Sequence, residues 1–245
     1  MDMTIATLRF LPQGTDEWKE LTKGDKRIFD VTASIAANIV GVGYDSPIMQ
    51  WKKDCGLVTK TQDSYLQQSL LTPGIEDEDA VVDQFVSWWH QNVGRPLAVY
   101  KTGTWQHPKY PWLAASPDRY MYDIEMGDVY LLEAKSRQED RDAKHPCDGH
   151  FVQCQLQMSC IPEAKGLFYV SANVRSKLTD CPMRLCAIQR DEAFVEREVI
   201  PKLQAHRTLV ANRVPPTKQA RKPHFLSYRT ARVTVVYPDG DVINQ

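Results

Sequence analysis

The stretch from Ser116 to Lys135, SPDRYMYDIEMGDVYLLEAK, constrains the fold of this chain more than any other. Its two halves, SPDRYMYD and DVYLLEAK, are rich in aromatic and aliphatic residues. Between them Glu125-Met126-Gly127-Asp128 supplies the Gly and Asp that a tight turn favours, so the pattern predicts two paired strands. Side chains alternate along a strand, so Glu133 and Lys135 project from one face and Ala134 from the other. With Asp118 on the first strand, two carboxylates and an ammonium meet at one end of a sheet. Carboxylates select hard, oxygen-seeking cations such as Mg²⁺ or Mn²⁺, and a lysine beside the metal can hold or help deprotonate an attacking water. That chemistry suits phosphodiester hydrolysis. The plainer alternative is a set of exposed strand charges, because ExK alone is common; a Pro-Asp about fifteen residues upstream across a turn makes the pattern more specific.

The 245 residues, 42% hydrophobic and 25% charged, suit a globular fold, expected as a single domain over 1–245 with a core at about 10–211 and a basic C-terminal extension at about 212–245. The formal net charge of −1 hides an uneven distribution. No Asp or Glu occurs from Val199 to Pro238, where Lys202, Arg207, Arg213, Lys218, Arg221, Lys222, Arg229 and Arg232 all fall. Upstream, one acidic cluster gathers Glu76, Asp77, Glu78, Asp79 and Asp83, and a second surrounds the hairpin. Phosphates need cations and metals need carboxylates, so a metal-dependent nucleic-acid enzyme would show this division; a solvated tail would look similar.

No apolar run approaches the roughly twenty residues of a membrane span, and MDMTIATLRF lacks the order of a signal peptide, so no membrane association and an intracellular (cytoplasmic) location are expected. The cysteines, Cys55, Cys147, Cys154, Cys160, Cys181 and Cys186, contain no CxxC pair and read as reduced structural thiols. An iron–sulfur cluster is the competing reading, but the spacing does not match one. His90, His107, His145, His150, His206 and His224 have no metal-ligand spacing, and there is no Gly-rich phosphate loop, so an ATP-driven mechanism is unsupported.

Near the N-terminus, Thr15 is expected to cap a short helix, and Thr32 or Ser34 to open a second one over Ala33 to Val40, stopped by Gly41. A hydroxyl-capped helix N-terminus favours an anion, and Arg27, seven residues before Ser34, could grip the same phosphate; most such caps, however, bind nothing. Trp51 lies on a helix and reads as packing, while Thr72-Pro73-Gly74 is expected to break the chain ahead of a helix over Ile75 to Asn92. Ile75, Val82, Phe85, Val86 and Trp89 form that helix's buried face. Glu78 lies near this stripe and therefore needs a basic partner or a metal. Ala98 to Ala115 reads as two short strands joined around His107-Pro108. Gln153, Gln155 and Gln157 sit in an amphipathic stretch that follows the polar loop Gln138 to Gly149. Residues four apart share a helix face, so Gln153 and Gln157 are neighbours and Gln155 faces elsewhere. Lys165 to Val170 and Arg184 to Arg190 read as core strands, Asp191 to Ala211 as a long helix, and RVTVVYPDGDVINQ as a terminal hairpin.

Four motifs in order, QGTDEW with Arg27 and Thr32-Ala33-Ser34, Gly74 with Glu78, Pro117-Asp118 with Glu133-Ala134-Lys135, and the glutamines of the QxQ helix, resemble the YqaJ-like viral recombinase family. These are lambda-exonuclease-like members of the PD-(D/E)xK nuclease superfamily. The resemblance covers roughly residues 10 to 170. It departs from the family in its basic spacing at Gly24-Asp25-Lys26 and in Val81, where the family has a small residue. It implies an α/β restriction-endonuclease-like core, a mixed central β-sheet flanked by helices. It implies further a Mg²⁺-dependent exonuclease, with Mn²⁺ as an alternative ion, that degrades one strand of duplex DNA from its 5′ end and leaves a 3′ overhang for recombination. Asp118, Glu133 and the backbone carbonyl of Ala134 would hold one metal, and Glu78 with Asp118 a second, the pair roughly 4 Å apart. Lys135 would orient or help deprotonate the water, with Gln153 supporting it, and Arg27 and Ser34 would hold the terminal phosphate. The expected partners are double-stranded DNA ends, two further copies in a homotrimer ring, and a single-strand annealing protein. Other functions of the same core are a PD-(D/E)xK endonuclease or an iron–sulfur exonuclease of the CRISPR-associated type; a non-catalytic DNA-binding accessory belongs to a different class.

Overall fold

The hairpin forms as its sequence predicts. In a computed structural model describing residues 5–23, 26–58, 64–136, 146–172, 183–217, 224–236 and 242–243, it supplies two adjacent inner strands of the main sheet. In chain order, a 3₁₀ turn (Ile5–Phe10) is followed by α1 (Asp16–Lys23), β1 (Val31–Thr32), α2 (Ala33–Val40), α3 (Pro47–Asp54) and α4 (Ser64–Asn92). Next come β2 (Leu97–Lys101), β3 (Trp105–Gln106), β4 (Leu113–Ala115), β5 (Arg119–Asp123), β6 (Asp128–Ser136), α5 (Asp148–Cys160), β7 (Ala164–Ala172) and β8 (Arg184–Gln189). The chain continues through α6 (Glu192–Phe194), a π turn (Val195–Val199), α7 (Ile200–Ala211), α8 (Leu226–Arg232), β9 (Val233–Val236) and β10 (Val242–Ile243).

Among the described residues, one sheet runs in the order β10-β9-β8-β7-β6-β5-β2, and a smaller one in the order β1-β4-β3. β6 pairs antiparallel with β5 and parallel with β7, so the main sheet is mixed. At the hairpin tip Gly127 takes φ 70°, and its amide donates to the Asp123 carbonyl at 2.9 Å. A left-handed residue at that point costs least when it is glycine.

Alternation along β6 divides the core. Leu132 and Ala134 pack against α4, where Val81, Val82, Phe85 and Trp89 are buried. Leu131 joins the other cluster, with α2 and α5 supplying Ala36, Val40, Phe151, Val152 and Leu156. Glu133 and Lys135 are in phase with Leu131 and share its face. The sheet is thus covered by helices on both sides, and the α/β core expected from the sequence is the one observed. Trp51 is 6% exposed and donates to the Leu209 carbonyl, so it packs.

Several local expectations need correction. α4 runs unbroken through Thr72-Pro73-Gly74. A proline inside a helix forfeits one backbone bond, a cost of about 3 kcal/mol that neighbouring turns can carry when the helix is packed elsewhere. Ala98 to Ala115 contributes to three strands: β2 joins the main sheet beside β5, while β3 and β4, joined through His107-Pro108, belong to the small one. The helix expected over Asp191 to Ala211 contains a π turn before Pro201, with the Ile200 amide bonded to the Val195 carbonyl. Proline has no N–H to bond four residues back, so the ladder slips by one residue there.

The basic C-terminal segment contributes to the sheet. Phe225 is 3% exposed against Phe194, and β9 pairs with β8 from Val233 to Val236. The terminal hairpin is formed by β9 and β10. Gly24 and Asp25, Gln138 to His145 of the polar loop, Cys181, and Lys218, Arg221 and Lys222 lie outside the described residues. Among the described residues, Cys55, Cys147, Cys154 and Cys160 are free thiols. Among the described residues no helix is long and apolar enough to cross a membrane.

Candidate active site

Asp118 and Glu133 meet where β5 begins and β6 ends. The Ala134 amide donates to Asp118 Oδ2 at 2.7 Å, which ties the first half of the hairpin motif to the second. The N–H and C=O of one strand residue point to the same edge, so the Ala134 carbonyl is also directed towards Asp118. Glu133 is 1% exposed. A buried carboxylate must be hydrogen-bonded or paired, and this one is both. Lys135 Nζ and Gln153 Nε2 donate to its Oε1, the latter at 2.7 Å, and Gln157 Nε2 donates to its Oε2 at 2.6 Å.

α5 places the glutamines as their spacing predicts. Gln153 and Gln157 face β6, while Gln155 donates to the Gln189 carbonyl at 2.8 Å and accepts from the Asp191 amide at 2.7 Å. Asp118, Glu133, Lys135, Gln153 and Gln157 line one pocket, together with Gln13, Trp18, Thr22, Thr32, Ala33, Ser34 and Ser116. Of these, Gln13 donates to the carbonyls of Thr102 and Pro117, both at 2.8 Å, and so fixes the chain entering Asp118. Its position in QGTDEW is the only sequence signal for that role.

The electrostatics are those of a carboxylate pair short of positive charge. Burial and the Glu133 carboxylate push Asp118 well above its ordinary range, with Lys135 opposing and Glu78 adding to the rise. Burial alone would lower Lys135, but Glu133 and Asp118 outweigh it and hold the ammonium protonated. With both carboxylates ionised, one ammonium leaves the site net negative, and a cation placed there would favour that state.

Glu78 is not part of the pocket wall. Its Oε1 accepts from Arg119 Nη1 at 2.6 Å, and the same guanidinium reaches Asp79 and the Asp118 carbonyl. Of the two partners its sequence position required, Glu78 has the basic one. Arg119, 4% exposed, was not anticipated; the signal available was an arginine directly after Asp118 in a chain with an acidic cluster at Glu76 to Asp83.

The two phosphate candidates line different cavities. Ser34 lines the pocket, in the first turn of α2. Thr32 is the N-cap residue but makes no capping bond, because its hydroxyl lies 3.1 Å from that of Ser34. The expected hydroxyl cap is therefore absent. Arg27 lines a second cavity with Asp30, Asp54, His206 and Arg207, and pairs with Asp54 Oδ1 at 3.1 Å. Asp54, 6% exposed at its side chain, also accepts from His206 and from Gln50.

Among the described residues no group of three or more His, Cys, Asp or Glu side chains gathers to hold a metal. The Asp118 and Glu133 carboxylates and the Ala134 carbonyl are oxygen groups of the kind that suit a hard divalent ion. The buried Gln157 Oε1 beside them has no hydrogen-bond partner among the described residues.

A mixed sheet covered by helices, with Asp, Glu and Lys of a PD-(D/E)xK motif at one end, defines a restriction-endonuclease-like protein. The YqaJ-like viral recombinase domain model matches residues 17–164, more than half of the chain, and the chain belongs to that family. The fold is similar to the crystal structure of an alkaline exonuclease (LHK-Exo) from Laribacter hongkongensis, at TM-score 0.60 and 20% identity over 82% of this chain and 94% of that one. LHK-Exo in complex with dAMP matches equally well, at TM-score 0.60 and 21% identity over the same shares. No curated protein sequence matches.

Proposed function

We propose that this protein is a divalent-metal-dependent deoxyribonuclease of the lambda-exonuclease type, which resects linear duplex DNA from the 5′ end and leaves 3′ overhangs for recombination. The observation that carries the reading is the grip on Glu133, held by Lys135, Gln153 and Gln157 beside Asp118 in a pocket that also contains the start of α2. Family membership and the likeness to an alkaline exonuclease support the same chemistry.

Asp118, Glu133 and the Ala134 carbonyl would hold Mg²⁺ or Mn²⁺. Such an ion supplies Lewis acidity to the phosphoryl oxygens and makes water a better nucleophile at neutral pH. Lys135, kept charged by its two carboxylates, stabilises developing negative charge and orients the water. Gln153 donates to the same Glu133 oxygen as Lys135 and so steadies that carboxylate. Ser34 and the free amides at the start of α2 suit a terminal phosphate, since an uncapped helix N-terminus is an anion site. Arg27 would reach the same phosphate only by leaving Asp54, and Glu78 would serve a second ion only by turning from Arg119. A ring of three subunits around the duplex and a single-strand annealing partner complete the family-based reading.

Digestion of linear and covalently closed duplex, each in Mg²⁺ and in EDTA, tests it. Linear DNA is expected to be degraded only with Mg²⁺ and closed circles to survive. Loss of circles at the same rate, or full activity in EDTA, would overturn the assignment.

A further inference from the structure

Glu133 has two carboxylate oxygens, and α5 offers each a separate amide. Gln153 Nε2 donates to Oε1 at 2.7 Å and Gln157 Nε2 to Oε2 at 2.6 Å. Positions four apart lie on one helix face, so both side chains reach the same neighbour. Gln157 is 0% exposed. Its neighbours fix which way its amide points. Glu133 Oε2 at 2.6 Å and the Ser116 carbonyl at 3.5 Å are both acceptors, so the nitrogen must face them.

This leaves Gln157 Oε1 buried with no donor to satisfy it among the described residues. Buried acceptors nearly always have partners, and an exception calls for a cause. The side chain belongs to the wall that also contains Asp118, Glu133 and Lys135. A phosphate oxygen is itself an acceptor and cannot donate to Gln157 Oε1, whereas a water can.

We propose that Gln157 is a positioning residue of the hydrolytic site. Through its nitrogen it fixes the plane of the Glu133 carboxylate jointly with Gln153, and through Oε1 it accepts a hydrogen bond from a water in the pocket. The proposal rests on the metal-dependent reading above. A carboxylate gripped at both oxygens meets a cation in one orientation, and groups that orient a ligand in this way help set its metal affinity.

Calorimetric titration of Mn²⁺ into the intact protein, without DNA, reads this property apart from catalysis. Gln157→Met keeps the side-chain length and removes both hydrogen bonds, and its Mn²⁺ dissociation constant is expected to rise about 10- to 100-fold. Gln155→Met makes the same exchange on the opposite helix face and is expected to leave the constant unchanged. Gln157→Asn, whose amide falls one methylene short of Glu133, is expected to weaken binding too and gives the answer if Q157M does not fold. Equal affinity in the parent and the Gln157 variants, or an equal loss in Gln155→Met, would overturn this proposal and leave the metal reading standing. A parent that binds no Mn²⁺ would overturn both.

Discussion

The Ala134 amide donates to Asp118 Oδ2 across 2.7 Å, so the backbone of one half of the PD-(D/E)xK motif holds the side chain of the other. The hydrogen bond leaves Asp118 beside Glu133, whose charge, with burial, drives the Asp118 carboxyl upward. Among the described residues, Lys135 is the only ammonium in that pocket wall. Lys135→Met is therefore expected to lower kcat by about 10²- to 10⁴-fold, the usual contribution of a group that handles protons in the transition state. Single-turnover kinetics, with DNA binding measured separately, check this. A variant that cleaves as fast as the parent contradicts the role.

Ser34 is the hydroxyl that the first turn of α2 presents to the pocket. A hydrogen bond to a charged phosphate contributes about 1.5 kcal/mol or more, about ten-fold in binding. Ser34→Ala is expected to reduce the preference for 5′-phosphorylated over 5′-hydroxyl ends by that factor. Competition between the two duplexes measures it, and an unchanged preference removes Ser34 from the phosphate site.

Arg119 joins β5 to α4 through Glu78, Asp79 and the Asp118 carbonyl. The guanidinium is buried, but Asp79 is exposed and Glu78 partly so, and water recovers part of what they lose. Arg119→Met is expected to cost about 2 kcal/mol of unfolding free energy, within the range for unpairing a hydrogen-bonded polar group. Urea denaturation reads it directly; a variant as stable as the parent would show that this junction contributes little.

His150 lies 2.8 Å from the Tyr169 hydroxyl. Burial and the Lys135 ammonium hold its imidazole down at about 4, below the ordinary 6.5. Between those values the unfolded chain binds more protons than the folded one, so this contribution rises with pH and is lost as pH falls from 6.5 towards 4. Urea midpoints are expected to fall between about pH 7 and about pH 5, and to fall less in His150→Gln. The same slope in both proteins would contradict this account of His150.

What the sequence made legible was periodic or local. Alternation set Glu133 and Lys135 on one face, and helical spacing separated Gln155 from Gln153 and Gln157, because both follow from backbone geometry alone. Turn chemistry at Gly127 located the hairpin. What it did not reveal depended on contacts distant in the chain. Pro73 looked like a stop because a proline's local cost is visible while the packing of α4 on the sheet is not. Arg27 and Ser34 looked like one phosphate grip, yet Asp54, on a separate helix, holds the arginine in a second cavity. Glu78 required a partner, but only the fold identifies Arg119 as that partner.

The most direct test follows the ends of one linear duplex carrying a 5′-phosphate and different labels on the 5′ and 3′ termini of the same strand. With Mg²⁺, the 5′ label is expected to be released first and the 3′ label to stay on shrinking product, with neither released in EDTA. Earlier loss of the 3′ label, or cuts scattered through the interior, would contradict resection from the 5′ end.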